Sequence, residues 1–366
     1  MAYTTIDYPS AHFQADLYTG SGSAKTFDGN SDLQLDMVWI KARSTAENAR
    51  LADTTRGVGD GTNETKWLLP AETAAEEQST EFASIASDSF TLNTSDAKLN
   101  SSSHTYVAWA WKANGGTTTS QTGSDINSVT QVNSTSKFGI MTYTGAANAD
   151  SDSDNNSGAF WRIKHGLGSV PKWLIVKNRG TAGWYQWHHK FDGASTTDGD
   201  HIYWPGNPAM ASESGNILWG NTAWSSTEIE VGAWNVVNRD SQTFVAYYWD
   251  EVQGFSKFGS YTGNNNADGV FIYTGFKPAF FMWKRTDHTA GWGMIDSARD
   301  PFNEGFKQLG PDDADGDGDY AIGDFLSNGI KMRNTFADTN SVNHYIYMAF
   351  AENPFVSSEG VPCTAR

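Results

Sequence analysis

The sequence predicts an all-β protein made of three tandem β-sandwich or jelly-roll units. Three observations lead there. The composition combines 13% aromatic residues and 36 Gly with only 18% charged residues, a balance that suits strands joined by hydroxyl-rich turns. The apolar runs are four to six residues long, β-branched or aromatic, and bounded by Gly, Asn, Asp or Pro, which reads as strand rather than helix. The third observation is repetition. At 366 residues the chain exceeds one ordinary domain, and the same landmarks recur along it in the same order.

The leading landmark is Tyr18-Thr19-Gly20, repeated as Tyr143-Thr144-Gly145 and Tyr261-Thr262-Gly263. The second and third copies follow Ser136-Lys137-Phe138-Gly139 and Ser256-Lys257-Phe258-Gly259, a lead that the first copy lacks. Next comes a strand ending in Lys: Met37 to Lys41, Trp173 to Lys177, and Phe280 to Lys284. An aromatic strand closes each copy: Tyr106 to Trp111, Phe244 to Trp249, and Tyr345 to Phe350. Alternation in Ser89-Phe90-Thr91-Leu92 and Gly329-Ile330-Lys331-Met332 marks strands with one wet face. These landmarks delimit units at 1–116, 136–254 and 255–366. The Gly-Gly and Thr-rich stretch from Asn114 gives a flexible linker over 117–135. Ala71 to Ser84, rich in Ala and Glu, could hold a short helix.

A net charge of −17 disfavours nucleic acid and anionic membranes as partners, since phosphate binding needs clustered Lys and Arg. No apolar run approaches the roughly 20 residues of a membrane span, and Met1 to Phe13 carries no secretory signal pattern. One cysteine, Cys363, excludes an internal disulfide framework. This composition, like that of extracellular recognition proteins but suited to a reducing cytoplasm, fits a virion protein assembled before lysis.

Two clusters stand out as candidate sites. Asp313, Asp315, Asp317, Asp319 and Asp324 alternate around Gly316 and Gly318 in the manner of a calcium loop. The alternative is a solvated acidic loop. Trp184, Trp187, Trp204, Trp219 and Trp224, with Trp234, crowd one stretch of the second unit; exposed, they would stack on sugars, and buried, they would be core. Asp150, Asp152 and Asp154 read as an acidic loop rather than a metal site. His188-His189 would point to opposite faces of a strand, and Glu228 with Glu230 lie two apart on one face, a spacing shared by glycosidase pairs and by any amphipathic strand. No nucleophile elbow, phosphate loop or zinc-protease motif occurs, so no catalytic residue is assigned.

The Tyr-Thr-Gly start, the Met37 to Lys41 strand, the Tyr106 to Lys112 ending and the terminal Tyr347 to Phe355 resemble repeat domains in structural proteins of marine tailed bacteriophages. The resemblance implies a concanavalin-like sandwich in each unit and a tail-fibre-like or decorating place on the virion exterior. It also implies other virion proteins and further copies of the chain as partners. Host-surface glycan is a possible ligand. A ligand-free decoration or tail-scaffold protein is the alternative, and a glycan hydrolase the less favoured third. The first unit is the expected attachment module.

Overall fold

The structure, a computed structural model, describes residues 2–29, 33–59, 62–147, 149, 159–191, 199–212 and 218–363. Every strand ladder among them is antiparallel, and the described residues contain no α-helix, only the short 3₁₀ turn Pro9–Ala11. The same strand order recurs in each of the three repeated segments. In the first, Phe13–Thr19 pairs with the last strand Thr105–Trp111, which pairs with Met37–Ala42, which pairs with Arg50–Asp53. In the second the matching strands are Phe138–Thr144, Thr243–Trp249, Trp173–Asn178 and Trp184–His188. In the third they are Ser256–Thr262, His344–Pro354, Phe276–Arg285 and Trp292–Asp296. Register repeats too: Met37 opposes Trp111, Trp173 opposes Trp249, and Phe280 opposes Phe350.

The Tyr-Thr-Gly motif is a latch whose second half is an asparagine distant in sequence. Tyr18, Tyr143 and Tyr261 donate their hydroxyls to the carbonyls of Leu99, Val237 and Thr339 at 2.6–2.7 Å. The residues after those three carbonyls are Asn100, Asn238 and Asn340, each wholly buried. Their side-chain oxygens accept the N–H groups of Ser21, Ala146 and Asn264, the residues that follow the glycine. A Cβ on Gly20, Gly145 or Gly263 would lie about 2 Å from the carbonyl oxygen just past the asparagine, so no other residue fits. The Ser-Lys-Phe-Gly lead has a similar cause. Gly139 and Gly259 lie under the rings of Tyr248 and Tyr347, whereas the first segment places Gln14 opposite the small Ala110 and needs no glycine.

Both faces of each main sheet are covered. One face of the first segment's sheet, with Val38, Ile40, Ala108 and Ala110, packs on the second sheet formed by Lys25–Asp28, Ser89–Leu92 and Phe82–Ile85. The opposite faces of all three main sheets meet in one aromatic core. Trp109 lies 5.8 Å from Phe280, Trp39 lies 5.6 Å from Trp204, and Trp204 lies 5.4 Å from Trp292. Where they meet, a cavity of about 20 Å³ remains, bordered by Trp39, Ile175 and Met282 from equivalent strand positions.

The seams between segments follow one head-to-tail pattern. In the first segment Asp53 receives the Tyr247 hydroxyl of the second at 2.6 Å and the Arg56 guanidinium at 2.5 Å. In the third segment Asp296 receives the Trp109 indole of the first at 3.0 Å and the Arg299 guanidinium at 2.6 Å. Each arginine reaches on to a second carboxylate, Glu76 or Asp317, at 3.0 Å, and these bind Arg179 and Arg43 of the next segment. A backbone bond of 2.7 Å repeats at all three seams: Glu76 N–H to Arg179, Asp317 N–H to Arg43, and Met210 N–H to Thr286. At the seam between second and third segments the Asp–Arg pair is replaced by His188 and Phe191.

Three sequence expectations change. Residues 117–135 are not a free linker: Thr119–Gln121 and Ser128–Asn133 pair in series onto Phe138–Thr144. Thr and Ser there serve the strand surface, while Ile126 is buried. The first segment is therefore packed into the shared core rather than set apart. The Ala- and Glu-rich stretch is no helix, since Glu77–Ser79 pairs with Thr65–Trp67 and Glu76 is held in a seam; tertiary contacts override a weak propensity.

Candidate ligand-binding face

The tryptophan cluster is core. Trp184, Trp187, Trp204, Trp219 and Trp224 are each at most 6% exposed, so none offers a ring face to a sugar. The cause is the shared core: Trp184 and Trp204 lie on strands of the second segment's sheet facing it, while Trp224 meets Trp219 edge-to-face and lies 4.6 Å from Trp187.

The Asp-rich run is the third segment's seam loop, in the role that Glu76 plays in the first. Its carboxylates diverge onto separate cations. Asp317 takes Arg43 and Arg299, Asp319 takes Lys307, Asp324 takes Arg333, and Asp313 lies 3.6 Å from Lys41 Nζ. Among the described residues no group of three or more His, Cys, Asp or Glu is arranged to hold a metal. We expect calorimetric titration with calcium to give equal heats for wild type and Asp315→Ala, because the ion would have to displace cations already bonded to the loop. A heat lost only in the variant would overturn this.

Other candidates are dispersed. Asp150, Asp152 and Asp154 lie outside the described residues. His188 is buried beside Trp173, and His189 bonds the Phe258 carbonyl across a seam. Burial holds His189 down to about 4, although the Phe258 carbonyl opposes the shift. Glu230 is buried under the N–H groups of Asn221 and Thr222, and Glu228 receives the Ser124 hydroxyl.

The second sheets carry the feature that the sequence did not disclose. Three equivalent strand pairs present three different outward surfaces. In the first segment Thr26 opposes Thr91 and the two hydroxyls bond at 2.8 Å. In the second, Arg162 and Lys164 stand outward, opposite the buried Glu230 and the half-buried Glu228. In the third, Phe271 opposes Lys331 and Tyr273 opposes Gly329. Buried Phe27, Ile163 and Ile272 occupy the inward position of each pair.

Phe271 and Tyr273 are about half exposed, and both are held in place. The Phe271 ring lies over Gly329, where a Cβ would sit 2.8 Å from it. The Tyr273 hydroxyl meets that of Tyr3 at 3.3 Å, and Tyr3 also donates to the Gly275 carbonyl. Burial, then the bond to Tyr273, raises Tyr3 to about 12. Ion pairs edge the rings: Lys331 with Asp268 at 2.8 Å, and Arg333 with Asp324. Phe302, Phe306, Tyr320 and Phe336, also in the third segment, are 41–80% exposed.

Comparison with known families matches residues 8–354 to a single model, described as a domain of unknown function, DUF7483. The chain belongs to this family. The match runs from just before the first main-sheet strand to Pro354, the last residue of the final strand, so one family model takes in all three segments and their common core. No curated protein matches the chain.

Proposed function

We propose that this chain is a non-enzymatic structural protein of a tailed-bacteriophage particle, tail-fibre-like and displayed on the exterior. In this reading each segment is a concanavalin-like sandwich, and the chain joins other virion proteins in several copies. The carrying observation is the division of labour within the molecule. The aromatic core and the seam ion pairs join the three segments, and the Tyr-Thr-Gly latches close each one. The outward faces of the second sheets are what differ among segments. Such a body suits a rigid display unit. A net charge of −17 keeps it soluble at high local density.

The deciding experiment is immunogold labelling of purified particles, with quantitative mass spectrometry for copy number. The chain should be present at a fixed ratio to the major head or tail proteins. Its absence from intact particles would sink the reading.

A further inference from the structure

We propose that the outward face of the third segment's second sheet binds a neutral glycan chain, with Phe271 and Tyr273 stacking on successive sugar rings. The proposal rests on the display reading above, which places this face toward a cell surface. The argument begins with the internal comparison. Strand positions holding Thr26 and Asp28 in the first segment, and Arg162 and Lys164 in the second, hold two aromatic rings in the third. Folding does not require them, because the same strand pair closes elsewhere with hydroxyls or ions. Two residues apart on one strand, the rings project from the same side about 6.6 Å apart.

Both rings are fixed before any ligand arrives, Phe271 by its seat over Gly329 and Tyr273 through Tyr3. Preorganisation lowers the ordering cost of binding. The aromatic π-face attracts the C–H groups of a pyranose, while the polar rim bonds its hydroxyls.

The charges select the ligand class. Lys331 and Asp268, and Arg333 and Asp324, cancel in pairs while keeping outward hydrogen-bonding capacity. Neither sign is left to attract a charged polymer, and the chain's net charge repels polyanions. A protein partner fits less well, because interface centres are depleted of charge and here ion pairs stand directly beside the Phe271 ring.

The test is affinity electrophoresis of the full chain in gels containing mannan, laminarin, galactan, dextran or dextran sulfate. Wild type is compared with Phe271→Ala/Tyr273→Ala and with Thr26→Ala, both checked for an unchanged melting temperature. At least one neutral polysaccharide should retard wild type, the double variant should lose ten-fold or more in affinity, and Thr26→Ala should behave as wild type. Retardation by none of the neutral polymers, by dextran sulfate alone, or equally for wild type and the double variant would overturn the proposal. So would failure of the double variant to join particles while it still binds sugar, since the face would then be an attachment surface. Wild type that binds glycan yet is missing from particles would leave this inference standing and remove only the display reading.

Discussion

Replacing Arg56 by Ala should lower the unfolding free energy by about 3–5 kcal/mol, the cost of leaving a buried charge without its partner. Arg56 is fully buried and holds the two first-segment carboxylates that receive Tyr247 and Arg179 of the second. It bonds Asp53 at 2.5 Å, Glu76 at 3.0 Å and the carbonyls of Leu51 and Lys66. Without it, Asp53 would be a buried carboxylate bonded only to the Arg56-position N–H and the Tyr247 hydroxyl. Arg299 holds the equivalent place beside Asp296. Its alanine variant should behave alike, and the two losses should add, because the seams share no partner. Lys307→Ala, which removes an exposed pair with Asp319, should cost under about 1 kcal/mol. Urea unfolding of wild type, the three single variants and the Arg56→Ala/Arg299→Ala double variant measures all of this. Equal midpoints for Arg56→Ala and Lys307→Ala would show that the seam pair contributes nothing special.

Acid should open the seam between second and third segments first. Burial holds His165, His189 and His12 near 4 and pushes His188 well down, while an unfolded histidine titrates near 6.5. The unfolded chain thus takes up protons first, so the stability these groups give is complete above pH 6.5 and is lost as pH falls toward 4. Asp16 and Asp312 oppose this. Burial raises them to about 6 and about 7, so their contribution is complete below the unfolded value and is lost as pH rises through those figures. Burial raises Asp36, Asp300 and Asp313 in the same way, but these aspartates lie away from His188 and His189, so acid acts on the seam between second and third segments through its histidines.

The loss concentrates at His188 because of its surroundings. Its Nδ1 accepts the Lys190 N–H, and its Nε2 makes no hydrogen bond of normal geometry, although the Tyr347 main chain lies beside it. Trp173 and Phe191 cover the ring, and the charged or titratable groups acting on it are His189, His344 and Lys190. A proton there meets only like charge, where the other seams hold Asp with Arg. Hydrogen exchange at pH 4.5 should rise in Trp184–His188 before Arg50–Asp53. His188→Asp combined with Phe191→Arg should move the acid midpoint down by half a pH unit or more. An unchanged midpoint would mean that another histidine sets it.

What the sequence disclosed, and what it hid, follows the range of the interactions. The Tyr-Thr-Gly repeat, the Lys-ending strand and the aromatic closing strand are short contiguous patterns, and each marks a real strand. The matching Asn100, Asn238 and Asn340 went unread because they stand some eighty to a hundred residues downstream in unlike surroundings. The sequence singles out Trp204 among its aromatic residues and passes over Phe271. Only the packing of three distant sheets buries the first and leaves the second exposed. Asp317 had the spacing of a metal ligand, but its partners are Arg43 and Arg299, far away in the chain. Outward positions such as Thr26, Arg162 and Phe271 became comparable only once register aligned them.

The head-to-tail seams have one more consequence. In a ring of three identical chains every substitution enters three times, so a change that helps one place is imposed on all. Joining the segments in one polypeptide removes that constraint. One seam can trade its carboxylate for His188, and one rim can gain aromatic rings, while the remaining two stay as they are. The fused chain thus keeps the closure of a trimer and can specialise each third of its circumference by single mutations.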